Sequence, residues 1–182
     1  YENYFTKIKN DNLDILEIGS FRGNASAALF FYLPNSNITS LDLYPDLFLY
    51  KSKRIVNDYL DNSSVKEIEN RILVNDKKYD FIIEDAGHYY KDQIISLFKI
   101  FPKVKKNGIY VIEELDFPDT RKDMNLNNEH PTLKEILLAV KTKKKFNSNL
   151  ISEDEKEYFL SSFDTIEILK GNFNNICFIK KK

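Results

Sequence analysis

The chain has 182 residues, of which 42% are hydrophobic, 14% aromatic and 30% charged, a composition typical of a folded globular protein rather than a disordered one. Its 27 basic and 28 acidic residues nearly cancel, so we expect no nucleic acid as a partner. One cysteine, no long apolar segment and no leader pattern predict a cytoplasmic protein without a membrane span. The length predicts one domain over residues 1–182.

The first half of the chain alternates helical patterns with short apolar runs. In chain order these predict a helix at 1–9, a strand at 13–18, a helix at 25–33, a strand at 38–43, a short helix at 46–52, a strand at 53–57 and a helix from about 64 to 73. A turn rich in glycine, at residues 19–24, separates the first strand from the helix that follows it.

The second half begins with two nearly continuous apolar runs, typical of strands covered on both faces. The predicted elements are a strand at 79–83, a helix at 91–101, a strand at 109–112, a polar segment at 116–128, helices starting at 131 and at about 152, and strands at 163–169 and 175–180. The last two strands form a predicted hairpin. The whole pattern predicts an α/β fold: a Rossmann-like, doubly wound, mostly parallel seven-stranded sheet with a C-terminal antiparallel β-hairpin.

The first strand ends in the pattern Glu17-x-Gly19-x-x-x-Gly23, and Asp42 lies near the end of the second strand. In an open parallel sheet, ligands bind at the carboxyl ends of the strands. Glycines there let a ligand approach the backbone, and a carboxylate at the second strand can accept both hydroxyls of a ribose. Taken singly, the glycines could form a ligand-free turn and Asp42 could be an ordinary strand-end carboxylate. Together they predict a nucleoside site.

These residues resemble the first two motifs of class I S-adenosylmethionine-dependent methyltransferases, and the terminal hairpin fits that family too. The resemblance extends over residues 13–180. It implies that the glycine turn binds the methionine part of S-adenosylmethionine, that the second strand holds the ribose and that the end of the third flanks the adenine. The implied cofactor-binding residues are Glu17, Gly19, Ser20, Gly23, Asp42, Leu43, Asp58, Tyr59 and Asp85.

A narrower resemblance lies in the stretch YDFIIEDAGH at residues 79–88 and the stretch GIYVIEE at 108–114. Both are similar to segments of the macrolide and sugar O-methyltransferases, in which acidic groups hold Mg²⁺ and a histidine is the base. The resemblance implies a metal site at Asp85, Glu113 and Glu114, with Asp85 and His88 as catalytic residues. The chain departs from that group in having Ala86-Gly87 where Gly-Ser is usual, and Glu114 where Asp is usual.

The chemistry gives these residue types a purpose. A divalent cation lowers the pKa of an acceptor hydroxyl, Mg²⁺ prefers carboxylate oxygens, and histidine titrates near neutrality. We therefore predict a Mg²⁺-assisted O-methyltransferase whose acceptor is a small molecule or glycan, in particular a sugar hydroxyl. A homodimer is compatible with the sequence. Adjacent strand residues point to opposite faces, so Glu113 and Glu114 can reach one ion only beyond the strand end.

Three alternatives remain open at this point. One is a methyltransferase without a metal, in which His88 acts alone. Another is a nicotinamide-dependent Rossmann oxidoreductase, which is disfavoured because Phe21 replaces the middle glycine of the G-x-G-x-x-G pattern. The last is a non-catalytic module that binds a nucleoside.

Overall fold

The computed structural model describes all residues, 1–182, and places seven strands in one sheet. The strands are β1 Asp14–Ile18, β2 Asn37–Asp42, β3 Ile55–Tyr59, β4 Tyr79–Glu84, β5 Val104–Ile112, β6 Phe163–Lys170 and β7 Asn175–Lys181. Their order across the sheet is β3-β2-β1-β4-β5-β7-β6. The first five are parallel, and β7 pairs antiparallel with both β5 and β6. The predicted fold class is confirmed.

Seven helices accompany the sheet: α1 Glu2–Phe5, α2 Asn24–Tyr32, α3 Val65–Ile68, α4 Tyr90–Ile100, α5 Phe117–Thr120, α6 Leu133–Lys141 and α7 Glu153–Ser162. Two apolar cores lie on opposite faces of the sheet. The smaller one packs α1 and α2 against β1 and β4, and the larger one contains residues of α3, α4, α6 and α7. None of these helices combines the length and the apolar composition needed to cross a bilayer.

Helix starts follow local capping signals. Thr132 and Ser152 each accept a hydrogen bond from the backbone of a glutamate three residues later, and that glutamate bonds back to the cap. Such capping boxes satisfy backbone N–H groups that the first helical turn leaves free. Ser64 caps α3 in the predicted way, accepting from the backbone N–H of Glu67.

Several predicted boundaries were wrong. The third strand spans Ile55–Tyr59 rather than 53–57, because pairing with β2 sets Ile38 opposite Ile55 and Asp42 opposite Tyr59. The predicted helix at 46–52 is only a 3₁₀ turn, Pro45–Leu47, after which the backbone N–H of Leu49 bonds the Arg22 carbonyl at 3.2 Å. A tertiary contact thus overrides the local helical pattern.

Other differences concern element length. The predicted helix at 64–73 is α3 followed by a π-helical turn, Glu69–Leu73. Strand β5 begins at Val104, five residues before the predicted start, because a β-bulge lets its polar first part pair with β4. The polar segment 116–128 contains α5 and a 3₁₀ turn, Lys122–Met124.

Candidate functional site

The loops that follow β1, β4 and β5 meet at the carboxyl edge of the sheet. Five residues in these loops have positive φ angles: Gly19 at +90°, Phe21 at +44°, Gly23 at +79°, His88 at +56° and Glu114 at +53°. For residues other than glycine this left-handed conformation is uncommon, and strained backbone tends to cluster at functional sites. The strain therefore coincides with the edge at which the sequence predicts chemistry.

Neighbouring protein atoms leave no room for a side chain at either glycine of the β1 turn. A Cβ at Gly19 would collide with the backbone carbonyl of Asp85, and a Cβ at Gly23 would collide with the ring of Phe48. Gly19 thus allows the β1 and β4 loops to touch, and Gly23 begins α2 in the left-handed conformation. Of the two, only Gly19 borders a cleft.

Two clefts open at this edge, and Asp85 borders both. We call the first the polar pocket; its volume is about 390 Å³. It is bounded by Ile18, Gly19, Phe21, Asp42, Leu43, Tyr44, Leu60, Asp61, Asn62, Ser63, Asp85, Ala86, Gly87, Tyr89 and Asp92. It therefore contains predicted cofactor residues from β1, β2 and β4, together with residues that follow β3.

The carboxylate of Asp42 in the polar pocket is held by two backbone N–H groups. Its Oδ2 accepts the backbone N–H of Phe21 at 2.7 Å, and its Oδ1 accepts that of Tyr44 at 2.8 Å. Each carboxylate oxygen has a second acceptor direction, so the group can still receive two further hydrogen bonds from a ligand. Asp42 thus joins the β1 turn to the segment after β2 and remains available on the pocket side.

The predicted adenine-flanking residues, Asp58 and Tyr59, do not line the polar pocket, because β3 extends to Tyr59. Asp58 instead forms an exposed ion pair with Arg71 at 3.4 Å, and the Arg71 guanidinium lies over the Tyr59 ring. Their place in the pocket is taken by residues that sequence reasoning missed: Leu60, Asp61, Asn62 and Ser63. The available signal was the polar run that leads into the capped helix α3.

Two further predicted cofactor residues lie outside the polar pocket. Ser20 is buried, and its hydroxyl has no hydrogen-bond partner. Glu17 is only 1% exposed and accepts a hydrogen bond from Ser26, which in turn contacts Ser40. Glu17 borders the second cleft.

A compact group of metal-compatible atoms lies between the β4 and β5 loops. Ligand atoms of Asp85, His88 and Glu114 are all within 4.8 Å of one another. The Nε2 atom of His88 is 2.6 Å from Glu114 Oε2 and 3.7 Å from Asp85 Oδ1. This arrangement brings together two of the three predicted metal ligands and the predicted base. A base role for Nε2 requires the tautomer that carries its proton on Nδ1, an atom with no hydrogen-bond partner in the protein.

Glu113, the third predicted ligand, points into the second cleft, where it accepts a hydrogen bond from the Tyr1 hydroxyl. We call this cleft the acidic pocket; its volume is about 540 Å³. It is bounded by Tyr1, Glu2, Phe5, Glu17, Ala25, Ala28, Leu29, Tyr32, Ile83, Asp85 and Glu113. The structure thus separates Glu113 from Glu114, on the two sides of Asp85.

Burial and mutual repulsion shift the titration of these groups. The pKa of Asp85 rises to about 8, first through burial and then through Glu113 and Glu114. Burial raises the pKa of Glu17 to about 7, although the Ser26 hydrogen bond opposes the shift. Burial lowers the pKa of His88 to about 4, so its imidazole is neutral at pH 7. A cation bound between the carboxylates would relieve this repulsion.

Glu84, the last residue of β4, borders neither cleft. It is fully buried on the side of the larger core, one of its oxygens has no partner, and burial raises its pKa to about 8. Its backbone carbonyl accepts from the N–H of Glu113 at 2.9 Å and so ties the β4 end to the β5 loop. Glu84 therefore supports the site from beneath.

Curated proteins with similar sequences are O-methyltransferases. The chain is 24% identical over 122 residues to 8-demethyl-8-(2-methoxy-alpha-L-rhamnosyl)-tetracenomycin-C 3'-O-methyltransferase from Streptomyces olivaceus, covering 63% of this chain and 31% of that protein. It is also 24% identical over 124 residues to demethylmacrocin O-methyltransferase from Streptomyces fradiae, covering 63% of this chain and 30% of that protein. The chain spans about a third of the length of these relatives or less. No family model matches it.

Among solved structures, MycE methyltransferase from the mycinamycin biosynthetic pathway, in complex with Mg and SAH, aligns with the entire chain. The TM-score is 0.73 at 18% identity, and the alignment covers 48% of MycE. At that identity the match establishes the fold. The sequence-based resemblance is confirmed: the chain has the class I methyltransferase fold and is similar in sequence to macrolide and sugar-pathway O-methyltransferases.

Proposed function

We propose that residues 1–182 form one S-adenosylmethionine-dependent O-methyltransferase domain that methylates a hydroxyl of a sugar, glycan or related small molecule. The observation that carries the proposal is the position of Asp42 in the polar pocket. Its carboxylate is held by two backbone N–H groups, at the end of the second strand of a class I methyltransferase fold. The sequence similarity to O-methyltransferases supports the reaction class.

The polar pocket suits a nucleoside. Asp42 can accept both ribose hydroxyls with its remaining lone pairs. Leu43 and Leu60 supply apolar surface for a planar base, and the buried amide nitrogen of Asn62 has no hydrogen-bond partner within the protein. An acceptor atom on a base would satisfy that nitrogen, and an unpartnered buried donor is otherwise costly. In this proposal Leu60 and Asn62 take the adenine-binding role first assigned to Asp58 and Tyr59.

The donor set at the β4 and β5 loops fits a divalent cation. Asp85 and Glu114 offer two carboxylates at one point, and no lysine or arginine forms an ion pair with either. Oxygen ligands of this kind suit Mg²⁺, which would lower the pKa of an acceptor hydroxyl. Glu113 serves as a third ligand only if it gives up its hydrogen bond to Tyr1.

In this proposal His88 receives the hydroxyl proton. Its neutral imidazole directs Nε2 towards Asp85 and Glu114, and the ring packs edge-on against Phe117, with centroids 5.5 Å apart. During transfer the acceptor oxygen forms a bond to the methyl carbon and the carbon–sulfur bond breaks. The sulfur leaves as the thioether of S-adenosylhomocysteine, while the proton moves from the hydroxyl to His88.

Calorimetry of S-adenosylmethionine, S-adenosylhomocysteine and NAD⁺ tests the cofactor assignment. We expect the first two to bind and NAD⁺ not to bind. Asp42→Ala should weaken binding of the first two. Its matched control is Asp46→Ala, since Asp46 is exposed, lies four residues away and does not border the pocket. Tight NAD⁺ binding would favour a Rossmann oxidoreductase, and no binding of any of the three would refute the proposal.

The metal is tested with the same protein. After treatment with a chelator, we expect added Mg²⁺ to restore methyl transfer to an accepted substrate, and Glu114→Gln to raise the Mg²⁺ concentration required. Glu129→Gln, which follows the polar segment 116–128 and lies outside the cluster, is the control. Full turnover in chelator would instead support the metal-independent alternative. Cofactor binding without transfer to any acceptor would support a non-catalytic module.

A further inference from the structure

The acidic pocket differs in lining from the polar pocket, to which the ribose and the base of the cofactor are assigned. Its volume of about 540 Å³ is in the range of small-molecule sites, and most of its lining residues are hydrophobic. The walls come from α1 and α2, with Phe5, Leu29 and Tyr32 among the apolar contributors. A ligand there would place an apolar ring or chain against these side chains.

The charges in the acidic pocket are all of one sign. Glu2, Glu17, Asp85 and Glu113 border it, and no lysine, arginine or histidine does. Glu17 is 1% exposed, and its only side-chain hydrogen bond is the one from Ser26 to Oε2. Its second oxygen therefore has no partner in the protein. Carboxylates in an apolar cleft favour a ligand that brings hydrogen-bond donors or a positive charge, and they repel anions.

We propose that the acidic pocket binds the methyl acceptor, and that this acceptor combines an apolar ring with a protonated amine and carries no anionic group. The carboxylates of Glu17 and Glu113 receive the ammonium, while the ring packs against α1 and α2. The identification of this ligand as the methyl acceptor rests on the proposed function. The pocket and its preference for a charge stand independently of it.

Asp85 explains how the two clefts work together. It borders the polar pocket and the acidic pocket, and its carboxylate also belongs to the cluster with His88 and Glu114. An acceptor hydroxyl adjacent to the bound ammonium, at the inner end of the acidic pocket, therefore lies beside the residues proposed to bind the metal and to accept the proton. The outer end, formed by Glu2, Ala28 and Tyr32, has no such neighbours and determines which acceptor enters.

Three phenols that share one ring and differ in the charge of a short side chain test the preference: tyramine, tyrosol and phloretate. Their binding to the 182-residue chain is measured by calorimetry or ligand-observed NMR, with and without S-adenosylhomocysteine. We expect tyramine to bind at least about tenfold more tightly than neutral tyrosol, and the anionic phloretate most weakly. We also expect tyramine binding to persist in saturating S-adenosylhomocysteine.

Two pairs of variants locate the site. Glu113→Gln should weaken tyramine binding about tenfold and leave tyrosol binding almost unchanged. Glu157→Gln, at an exposed position of α7, should change the binding of neither. Ala28→Phe should fill the cleft and abolish binding of all three phenols, whereas Leu138→Phe on the exposed side of α6 should not. The circular dichroism melting curve of each variant verifies that it is folded.

Four results would overturn the inference. Phloretate could bind as tightly as tyramine, or a folded Ala28→Phe variant could retain tyramine. Competition by S-adenosylhomocysteine would make the acidic pocket part of the cofactor site. Competition by Mg²⁺ would assign its carboxylates to the metal. If S-adenosylhomocysteine fails to bind while tyramine binds as expected, the proposed function fails and the pocket assignment stands.

Discussion

The two clefts that meet at Asp85 are built in different ways. The polar pocket is made of loops that directly follow β1, β2, β3 and β4, and backbone N–H groups orient its central carboxylate, Asp42. The acidic pocket is made largely of helix faces from α1 and α2, and buried carboxylates collect at its inner end. Loop residues at strand ends can be recognised as a motif, whereas a cleft between helices depends on packing.

The comparison also separates two uses of a carboxylate. Asp42 is satisfied by two amides at 2.7 and 2.8 Å, which keep its orientation fixed. Glu17 is buried with one hydroxyl partner, and its pKa rises to about 7 because burial disfavours its charge. The first carboxylate is preorganised for hydroxyl donors. The second is stabilised when a positive group arrives.

The largest effect is expected at the contact that joins the clefts. Gly19→Ala places a Cβ against the Asp85 carbonyl at a φ of +90°, so we expect the free energy of unfolding to fall by about 3–4 kcal/mol. Urea denaturation measures it. Gly171→Ala, in the β6–β7 turn at a φ without this restriction, is the control. Equal midpoints for the two variants would contradict the close contact.

The next effect isolates the polar pocket. Asp42→Ala removes the acceptor for two ribose hydroxyls, so we expect S-adenosylhomocysteine to bind roughly 100-fold more weakly, about 3 kcal/mol. Tyramine binding in the acidic pocket should change less than about twofold, since the two sites are separate. Calorimetry on one preparation gives both values. A parallel loss of both ligands would mean that the clefts form one site.

A smaller effect isolates the acidic pocket. The pKa of Glu17 is about 7 in the folded protein against 4.5 when solvated, so the folded state retains a proton that the unfolded state releases. The free energy of unfolding therefore falls as the pH rises from about 4.5 to 7. Glu17→Gln lacks this loss. From pH 4 to pH 8 we therefore expect the free energy of unfolding of the variant, measured relative to that of the parent protein, to rise by about 2 kcal/mol.

Urea midpoints at several pH values measure that difference. The control is Glu157→Gln, whose carboxylate is exposed and should give a difference that does not vary with pH. Parallel pH profiles for Glu17→Gln and the parent protein would show that the Glu17 carboxylate is well solvated and would weaken the comparison between the clefts.

The smallest effect is expected just outside the polar pocket. Asp58→Ala should change S-adenosylhomocysteine affinity less than about twofold, because Asp58 does not line the polar pocket. It should change the free energy of unfolding by less than about 1 kcal/mol, because Asp58 forms only an exposed ion pair with Arg71. Asn62→Ala, by contrast, should lower the affinity for S-adenosylhomocysteine about tenfold by removing a buried donor. The reverse order would restore the adenine role that the sequence assigned to Asp58.

Much of the fold followed from the sequence. Apolar runs and glycine punctuation identified all seven strands and the terminal hairpin. The clearest runs are those of β4 and of residues 109–112 in β5, because burial on both faces of a sheet requires continuous apolar residues. Boundaries were less accurate where tertiary contacts set them. Pairing with β2 moved the end of β3 from residue 57 to Tyr59, and the bond from Leu49 to Arg22 replaced a predicted helix by an extended segment.

The sequence by itself determined the chemical types at the strand ends: the carboxylates of Asp42 and Asp85, the imidazole of His88 and the glycine at position 19. Only the tertiary structure decided which of them meet. It separated Glu113 from Glu114, because a left-handed residue at the end of β5 sends the two side chains to opposite sides of Asp85. Which group faces which neighbour depends on backbone angles and on helices distant in sequence, and residue spacing carries neither.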